Sequence, residues 1–187
     1  CFLLIPKGKS EEDIMIFLEK TNAALPDAME LEFDGLYKRG IFVTKRESDS
    51  AAKKKYALID FKGNIKITGF EYVRRDWAPI AKDTQRMVIE AVLSEGKPEK
   101  AIQITKDVIK RLKEGNVPKK ELVINKQLKA KPSKYESIGP HVAAAQKAMD
   151  RGKDVIVGSM IGFIVTHKGK SISDRAEMEE YVKEGDY

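Results

Sequence analysis

Residues 29–75 read MELEFDGLYKRGIFVTKRESDSAAKKKYALIDFKGNIKITGFEYVRR, and this stretch decides the fold. Apolar and polar residues alternate through Leu31-Glu32-Phe33-Asp34, the pattern of a half-buried strand. Gly40-Ile41-Phe42-Val43-Thr44 is a β-branched and aromatic run, followed by Lys55-Tyr56-Ala57-Leu58-Ile59-Asp60 and Asn64-Ile65-Lys66-Ile67-Thr68. The expectation is four short strands of one antiparallel sheet, with Gly35 in the first gap and a turn at Phe61-Lys62-Gly63-Asn64. The sheet carries acids at Glu32 and Asp34 and a basic cluster at Lys53-Lys54-Lys55-Tyr56. Carboxylates and ammonium groups this close in sequence mark a candidate site for metal or phosphate chemistry.

Outward from this stretch, Cys1–Pro6 reads as an apolar strand without a visible hairpin partner. Ser10 and Asp13 form an acidic variant of the capping box, opening a helix that Pro26 stops. Residues Arg46–Ala52, mostly small or polar, read as a loop between the second and third strands. Trp77, Ile80, Ala81, Thr84, Val88 and Ala91 recur at helical spacing from Asp76 to Leu93, and the one tryptophan reads as core packing. A second helix runs from Pro98 to Gly115, with Ala101, Ile102, Thr105, Ile109 and Leu112 as its less polar face. Further on come a strand over 121–126, a helix from Gly139-Pro140-His141 to Met149, a strand pair within 155–167 and a polar helix over 173–187. The fold class is α+β, a short antiparallel sheet (residues 1–75) followed by a mainly helical part (residues 76–187).

Charge points to an anionic partner. The net charge is +6, and residues 1–90 hold 16 Lys/Arg against 15 Asp/Glu while 91–187 hold 19 against 14. Between Lys110 and Tyr135 nine basic residues face only Glu114 and Glu121. The single cysteine excludes an intramolecular disulfide, and no apolar run reaches membrane-spanning length. The expectation is a cytoplasmic protein with no membrane partner. There is no Gly-rich phosphate loop, no metal-spaced His/Cys set and no nucleophile–base pairing.

Several blocks in order carry a family resemblance. MELEFDGLYKRGIFVTK, KKKYALID and EYVRRDW resemble the end of the palm domain in archaeal family B DNA polymerases, and YESIGPHVAAAQKAM and SMIGFIVTHKGKSISDRA resemble blocks of that family's thumb. The resemblance covers nearly the whole chain and implies a palm end followed by a thumb. The family's paired metal-binding aspartates, in a Tyr-x-Asp-Thr-Asp block, are not in this sequence, nor are the exonuclease and fingers. Relatives run from the Phe-Val-Thr-Lys strand almost directly into the basic tetrad, so Arg46–Ala52 looks like an insertion. A start at Cys1 rather than Met is expected to be a trimmed end, with a protein-splicing scar as the sharper alternative, and the end at Tyr187 is expected to be truncated.

The resemblance also implies roles, each beside a plainer reading. Glu32 and Asp34 would be auxiliary catalytic acids, where alternation alone suggests a solvent-facing polar edge. Lys53, Lys54, Lys55 and Tyr56 resemble a Lys-Lys-Arg-Tyr motif that touches the primer strand, where composition alone suggests a solvated charge run. Strand alternation places Lys54 with Tyr56 on one face and Lys53 with Lys55 on the other. Arg74 and Arg75 would contact DNA or pair with nearby acids. Gly139, Pro140 and His141 would start a helix that faces a phosphate, with a capping or surface histidine as the alternative. Arg175 would contact the backbone.

Together these imply the small subunit of a split DNA polymerase. It would grip primer–template DNA, with Mg²⁺ held mainly by a large subunit that brings the exonuclease, fingers and paired aspartates. The alternatives are a stand-alone basic duplex-DNA-binding accessory module without catalysis, and a small-molecule enzyme using Glu32 or Asp34 as a base. The open apolar strand at Cys1–Pro6 argues against the first, and nothing in the sequence shows a second catalytic group for the other.

Overall fold

A computed structural model describes residues 2–45 and 48–187; the expected features at Cys1, Arg46 and Glu47 lie outside them. Contacts divide the chain into two compact units, Cys1–Leu36 and Tyr37–Tyr187, so residues 37–75 fold with the segments that follow them.

The first unit is built on helix α1 (Glu11–Ala24). Its start is the acidic capping box that the sequence suggests: Ser10 Oγ accepts from the Asp13 amide at 3.2 Å, and Asp13 Oδ2 accepts from the Ser10 amide at 2.9 Å. Asp13 reaches back successfully because its carboxylate also takes the Lys9 ammonium at 3.0 Å. The two strands expected here do not form: residues 2–6 and 31–34 have no ladder partner. At Leu31 the carboxamide of Asn22 substitutes for a neighbouring strand, donating to the Leu31 carbonyl at 3.0 Å and accepting from its amide at 2.9 Å.

The second unit holds two three-stranded antiparallel sheets. Strands β1 (Tyr37–Lys45), β2 (Ser48–Asp60) and β3 (Ile65–Thr68) lie in that order. Residues 48–52, expected as loop, are strand, because Thr44 pairs with Ala51 and Lys45 with Ser48. The β2–β3 turn is tied by Asp60, whose carboxylate accepts from the amides of Lys62 and Asn64, both at 2.8 Å, while Gly63 takes φ 89°.

Helix α2 (Pro79–Glu95) covers this sheet, burying Ile89 and Leu93 against Ala57, Ile59 and Phe70. It begins three residues later than periodicity suggests, with Pro79 at its first position, where the missing N–H costs nothing. Its far end is capped from β1: Arg39 Nη1 donates to the carbonyls of Leu93 and Ser94 at 2.9 and 2.7 Å.

Helix α3 (Glu99–Lys113) packs beside α2 through buried Ala101, with Ile104 and Val108 half-buried. The rest of its expected inward face is outside, since Ile102, Thr105, Ile109 and Leu112 are exposed. A short helix α4 (Lys119–Leu122) leads to β4 (Ile124–Gln127), then α5 (Pro140–Asp150), β5 (Met160–Val165), α6 (Ile172–Arg175) and β6 (Ala176–Met178).

The second sheet has the order β4-β5-β6, and α5 packs on it around Leu128, Val142, Ala145 and Phe163. The strand pair expected within 155–167 is one strand; Gly158 belongs to the turn before it, where Val155 faces the core. The polar helix expected over 173–187 stops after one turn, because Ala176 and Met178 alternate into the core as β6. The part after residue 75 is mainly helical, with one small three-stranded sheet, within an α+β fold. No helix among the described residues is long and apolar enough to cross a membrane.

Candidate nucleic-acid interface

The basic tetrad sits where β2 is irregular. Phe42 pairs with Tyr56, but the next pair along β1 is Thr44 with Ala51, so residues 52–55 bulge opposite Val43. Lys54 lies at the centre with φ 59°, in the left-handed region that a β-carbon disfavours. The bulge is clasped by Gly69, where an added Cβ would meet the Lys54 carbonyl oxygen at 1.9 Å. Simple alternation through the tetrad therefore fails at Lys54.

The four residues have different surroundings. Lys55 turns inward: its Nζ donates to Glu71 Oε1 at 2.7 Å and lies 5.3 Å from the centre of the Phe70 ring. Glu71 also accepts from Gln85 Nε2 at 2.7 Å, and Gln85 Oε1 accepts from the Tyr72 amide at 2.7 Å. These bonds join β2, the turn at 71–73 and α2. The hydrogen bonds from Lys55 and Gln85 lower the Glu71 carboxyl from its ordinary 4.5 to about 2. Tyr56 stacks on Phe42 with ring centres 6.3 Å apart. Lys53 and Lys54 are exposed, and their ammonium groups make no ion pair or hydrogen bond among the described residues.

The two arginines divide in the same way. Arg74 is held in a two-bond fork by Asp76, at 2.9 and 2.7 Å. Arg75 has no such partner among the described residues and lines a cleft with Trp77 and Lys82. Trp77 is exposed, contrary to its expected place in the core; α2 starts only at Pro79, so the indole precedes the helix face that packs inward.

His141 is buried, edge-on to Tyr135 with ring centres 6.0 Å apart, and its Nδ1 has no hydrogen-bond partner among the described residues. Burial lowers its pKa from 6.5, and the nearby Lys126 charge adds to that. The imidazole is neutral at pH 7. The start of α5 offers fewer free amides than a bare helix end: the Gly139 carbonyl accepts from both Val142 and Ala143 at 3.0 Å, and Pro140 has no N–H. Arg175 is exposed, with Nε donating to the Gly169 carbonyl at 2.9 Å.

Contacts link these places into a continuous series. Glu71 ties the tetrad to the arginine block, and its charge acts on Arg74. Lys126 on β4 is close enough to Asp76 and His141 for its charge to affect both. Ser173 Oγ donates to the Ile138 carbonyl at 2.8 Å, placing the Arg175 turn beside the Gly139 turn. Lys82 and Asn125 had no motif to mark them in the sequence. The Tyr135 hydroxyl accepts from the amides of Lys129 and Ala130 at 2.8 and 3.2 Å, shaping a loop that carries Lys129, Lys131 and Lys134. Part of the basic stretch is structural instead, since Lys119 Nζ donates to the carbonyls of Glu179 and Val182.

Glu32 and Asp34 lie in the first unit, both exposed. Among the described residues no three His, Cys, Asp or Glu side chains gather as metal ligands. These two carboxylates do not by themselves supply the near-octahedral oxygen set that Mg²⁺ demands.

Residues 15–187 match the model of DNA polymerase family B. The chain belongs to that family. It is 48% identical over 178 residues to a DNA polymerase of Methanocaldococcus jannaschii, a match covering 95% of this chain and 10% of that relative. It is 44% identical to a DNA polymerase of Thermococcus kodakarensis, covering 94% and 10%. The family B DNA polymerase structure from Pyrobaculum calidifontis superposes with a TM-score of 0.73 at 27% identity, over 95% of this chain and 22% of that one. The chain thus spans from about a tenth to about a fifth of the length of the curated relatives it matches.

Proposed function

We infer that this chain supplies the palm end and thumb, divided near Arg75, of a family B DNA polymerase, and that its task is to grip primer–template duplex for a larger subunit. One observation carries this reading. Lys53, Lys54 and Arg75 make no ion pair or hydrogen bond among the described residues along the linked series that the family match covers. The neighbouring Lys55 and Arg74 are spent on the protein's own acids. Free cations beside a framework braced by paired ones suit phosphate contacts that do not depend on sequence.

In this reading the large subunit brings the exonuclease, the fingers and the paired aspartates that hold Mg²⁺. This chain positions the primer end, with Lys53, Lys54 and Tyr56 nearest to it. Arg75 and Lys126 hold duplex phosphates, and the Gly139–His141 and Arg175 turns flank them. Glu32 and Asp34 are auxiliary at most. Such a protein would work in the cytoplasm, and this chain alone would not polymerise.

The test has two parts. Primer extension should be absent with this chain alone and appear when the large subunit is added; extension by the isolated chain would sink the two-subunit reading, and persistent inactivity of the pair would favour the accessory module. Duplex affinity should fall steeply with salt and hardly vary with sequence. Arg75→Ala and Lys126→Ala should each lower the salt slope by about one, and Arg74→Ala by less.

A further inference from the structure

Beside the turn at Glu71–Val73, the start of α2 and strand β4 lies an open cleft of about 480 Å³. Its lining includes Tyr72, Arg75, Trp77, Lys82, Asp83 and Asn125. The guanidinium of Arg75, the ammonium of Lys82 and the carboxamide of Asn125 make no hydrogen bond or ion pair among the described residues. Trp77 is 42% exposed, so part of a large apolar ring is left uncovered beside those cations. Asp83 is exposed on the same cleft. A pocket built for phosphate alone would not carry a carboxylate, whereas the amino group of a base donates to one.

We propose that this cleft receives one unpaired nucleotide of single-stranded DNA, its base stacked on Trp77 and its phosphate held by Lys82, where Arg75 joins the cleft to the duplex grip. Asn125 and Asp83 then meet the base edge that pairing would otherwise occupy. A paired base cannot enter, because its neighbours in the stack cover both faces and its partner takes the edge. Cations beside an aromatic platform are the means by which proteins hold single strands without sequence preference. An acidic peptide would satisfy the cations and leave the indole bare. The proposal rests on the DNA-binding reading above and adds a single-stranded site to its duplex grip.

Trp77 is the only tryptophan of the chain, so its emission reports on this cleft alone. The whole chain is titrated with a blunt duplex, with a duplex of equal phosphate number bearing a short single-stranded tail, and with a poly-glutamate peptide. Anisotropy of labelled DNA gives overall binding in parallel. The tailed duplex should quench Trp77, while the blunt duplex binds and leaves its emission unchanged. Trp77→Ala should weaken tailed-duplex binding roughly 10-fold without altering blunt-duplex affinity, and Trp77→Phe should recover part of that loss. Lys82→Gln leaves the packing intact and should selectively weaken the tailed duplex by a smaller factor, so the proposal stays testable if Trp77→Ala folds poorly. Equal quenching by both duplexes, tailed-duplex binding without quenching, or quenching by the peptide alone would overturn the site. Quenching by the tailed DNA with no blunt-duplex binding would instead overturn the duplex grip and leave the cleft standing.

Discussion

In the unit Tyr37–Tyr187, Leu128 is fully sealed and Leu93 and Ile161 are exposed by 1%, whereas in Cys1–Leu36 no described residue is buried and Leu4 is 98% exposed. Apolar content does not explain the contrast, since Phe2, Leu3, Ile5, Ile16 and Phe17 are as apolar as the side chains sealed in the larger unit. Partners explain it. Leu31–Asp34 alternates as well as Ile65–Thr68 does, yet only the latter is a strand, with Ala57 opposite Ile67 and Leu58 opposite Lys66. Alternation specifies two faces; a ladder needs a neighbour whose amides and carbonyls are free.

The largest expected effect breaks the comparison directly. Leu93→Ala removes a sealed side chain between α2 and the first sheet, and should cost about 2–5 kcal/mol in urea unfolding. Phe17→Ala trims a ring that is half in solvent and should stay within about 0.5 kcal/mol. Comparable losses for the two variants would mean that the smaller unit buries Phe17 in solution.

Legibility in the sequence follows the same line. Strands β1 to β3, the α1 cap, α5 and the proline-started helices were readable because their signals are local: periodicity, a capping pair, a turn residue. Strand β6 was not, since three residues ending in Met178 are too few to show a period, and only pairing with Phe163, Ile164 and Val165 makes them a strand. Helix α3 misled because its apolar residues form two stripes, and which one faces α2 is a tertiary fact. Among the site residues, the tetrad and Arg74-Arg75 stood out as charge runs. Sequence could not say that Lys55 and Arg74 spend their charges internally, because Glu71 lies 16 residues from Lys55 and meets it only through the bulge and the turn. Lys82 and Asn125 carry no motif and reach the cleft through α2 and β4.

A middle-sized effect compares one carboxylate from each unit. The Glu71 carboxyl is lowered from 4.5 to about 2 by Lys55 and Gln85, so its stabilisation is complete above 4.5 and is lost as pH falls from there towards 2. Glu71→Gln should cost about 1–3 kcal/mol at neutral pH and flatten the loss of thermal stability within that acid window. Asp13 in the smaller unit is also lowered, chiefly by the Ser10 amide, but it is partly exposed on a helix with no buried residue. Asp13→Asn should change helical circular dichroism slightly and leave the main unfolding transition in place. His141 adds a separate window. Its folded pKa is held below 6.5, so neutral imidazole stabilises the fold and stability starts to fall as pH drops below 6.5. His141→Leu should remove that higher step and leave the Glu71 step untouched.

The smallest effect tests the irregular end of β2, where the register with β1 shifts. Lys54 holds φ 59° with its carbonyl against Gly69. A left-handed conformation costs a residue with a β-carbon about 1–2 kcal/mol, and glycine loses about 0.5–1 kcal/mol of that advantage through its freer unfolded chain. Lys54→Gly should therefore be neutral or stabilising by up to about 1 kcal/mol, although it deletes a charged side chain. Lys53→Gly, where φ is not positive, should be destabilising by about 0.5–1 kcal/mol. Regular strand alternation through the tetrad gives a different result, with both glycines costing the same. Chemical unfolding of the two variants separates these outcomes without DNA, so the shape of the bulge is tested apart from its proposed use. Adding duplex then asks the functional question: Lys54→Gly should keep its stability and bind more weakly, because the bulge persists and the cation it presents is gone.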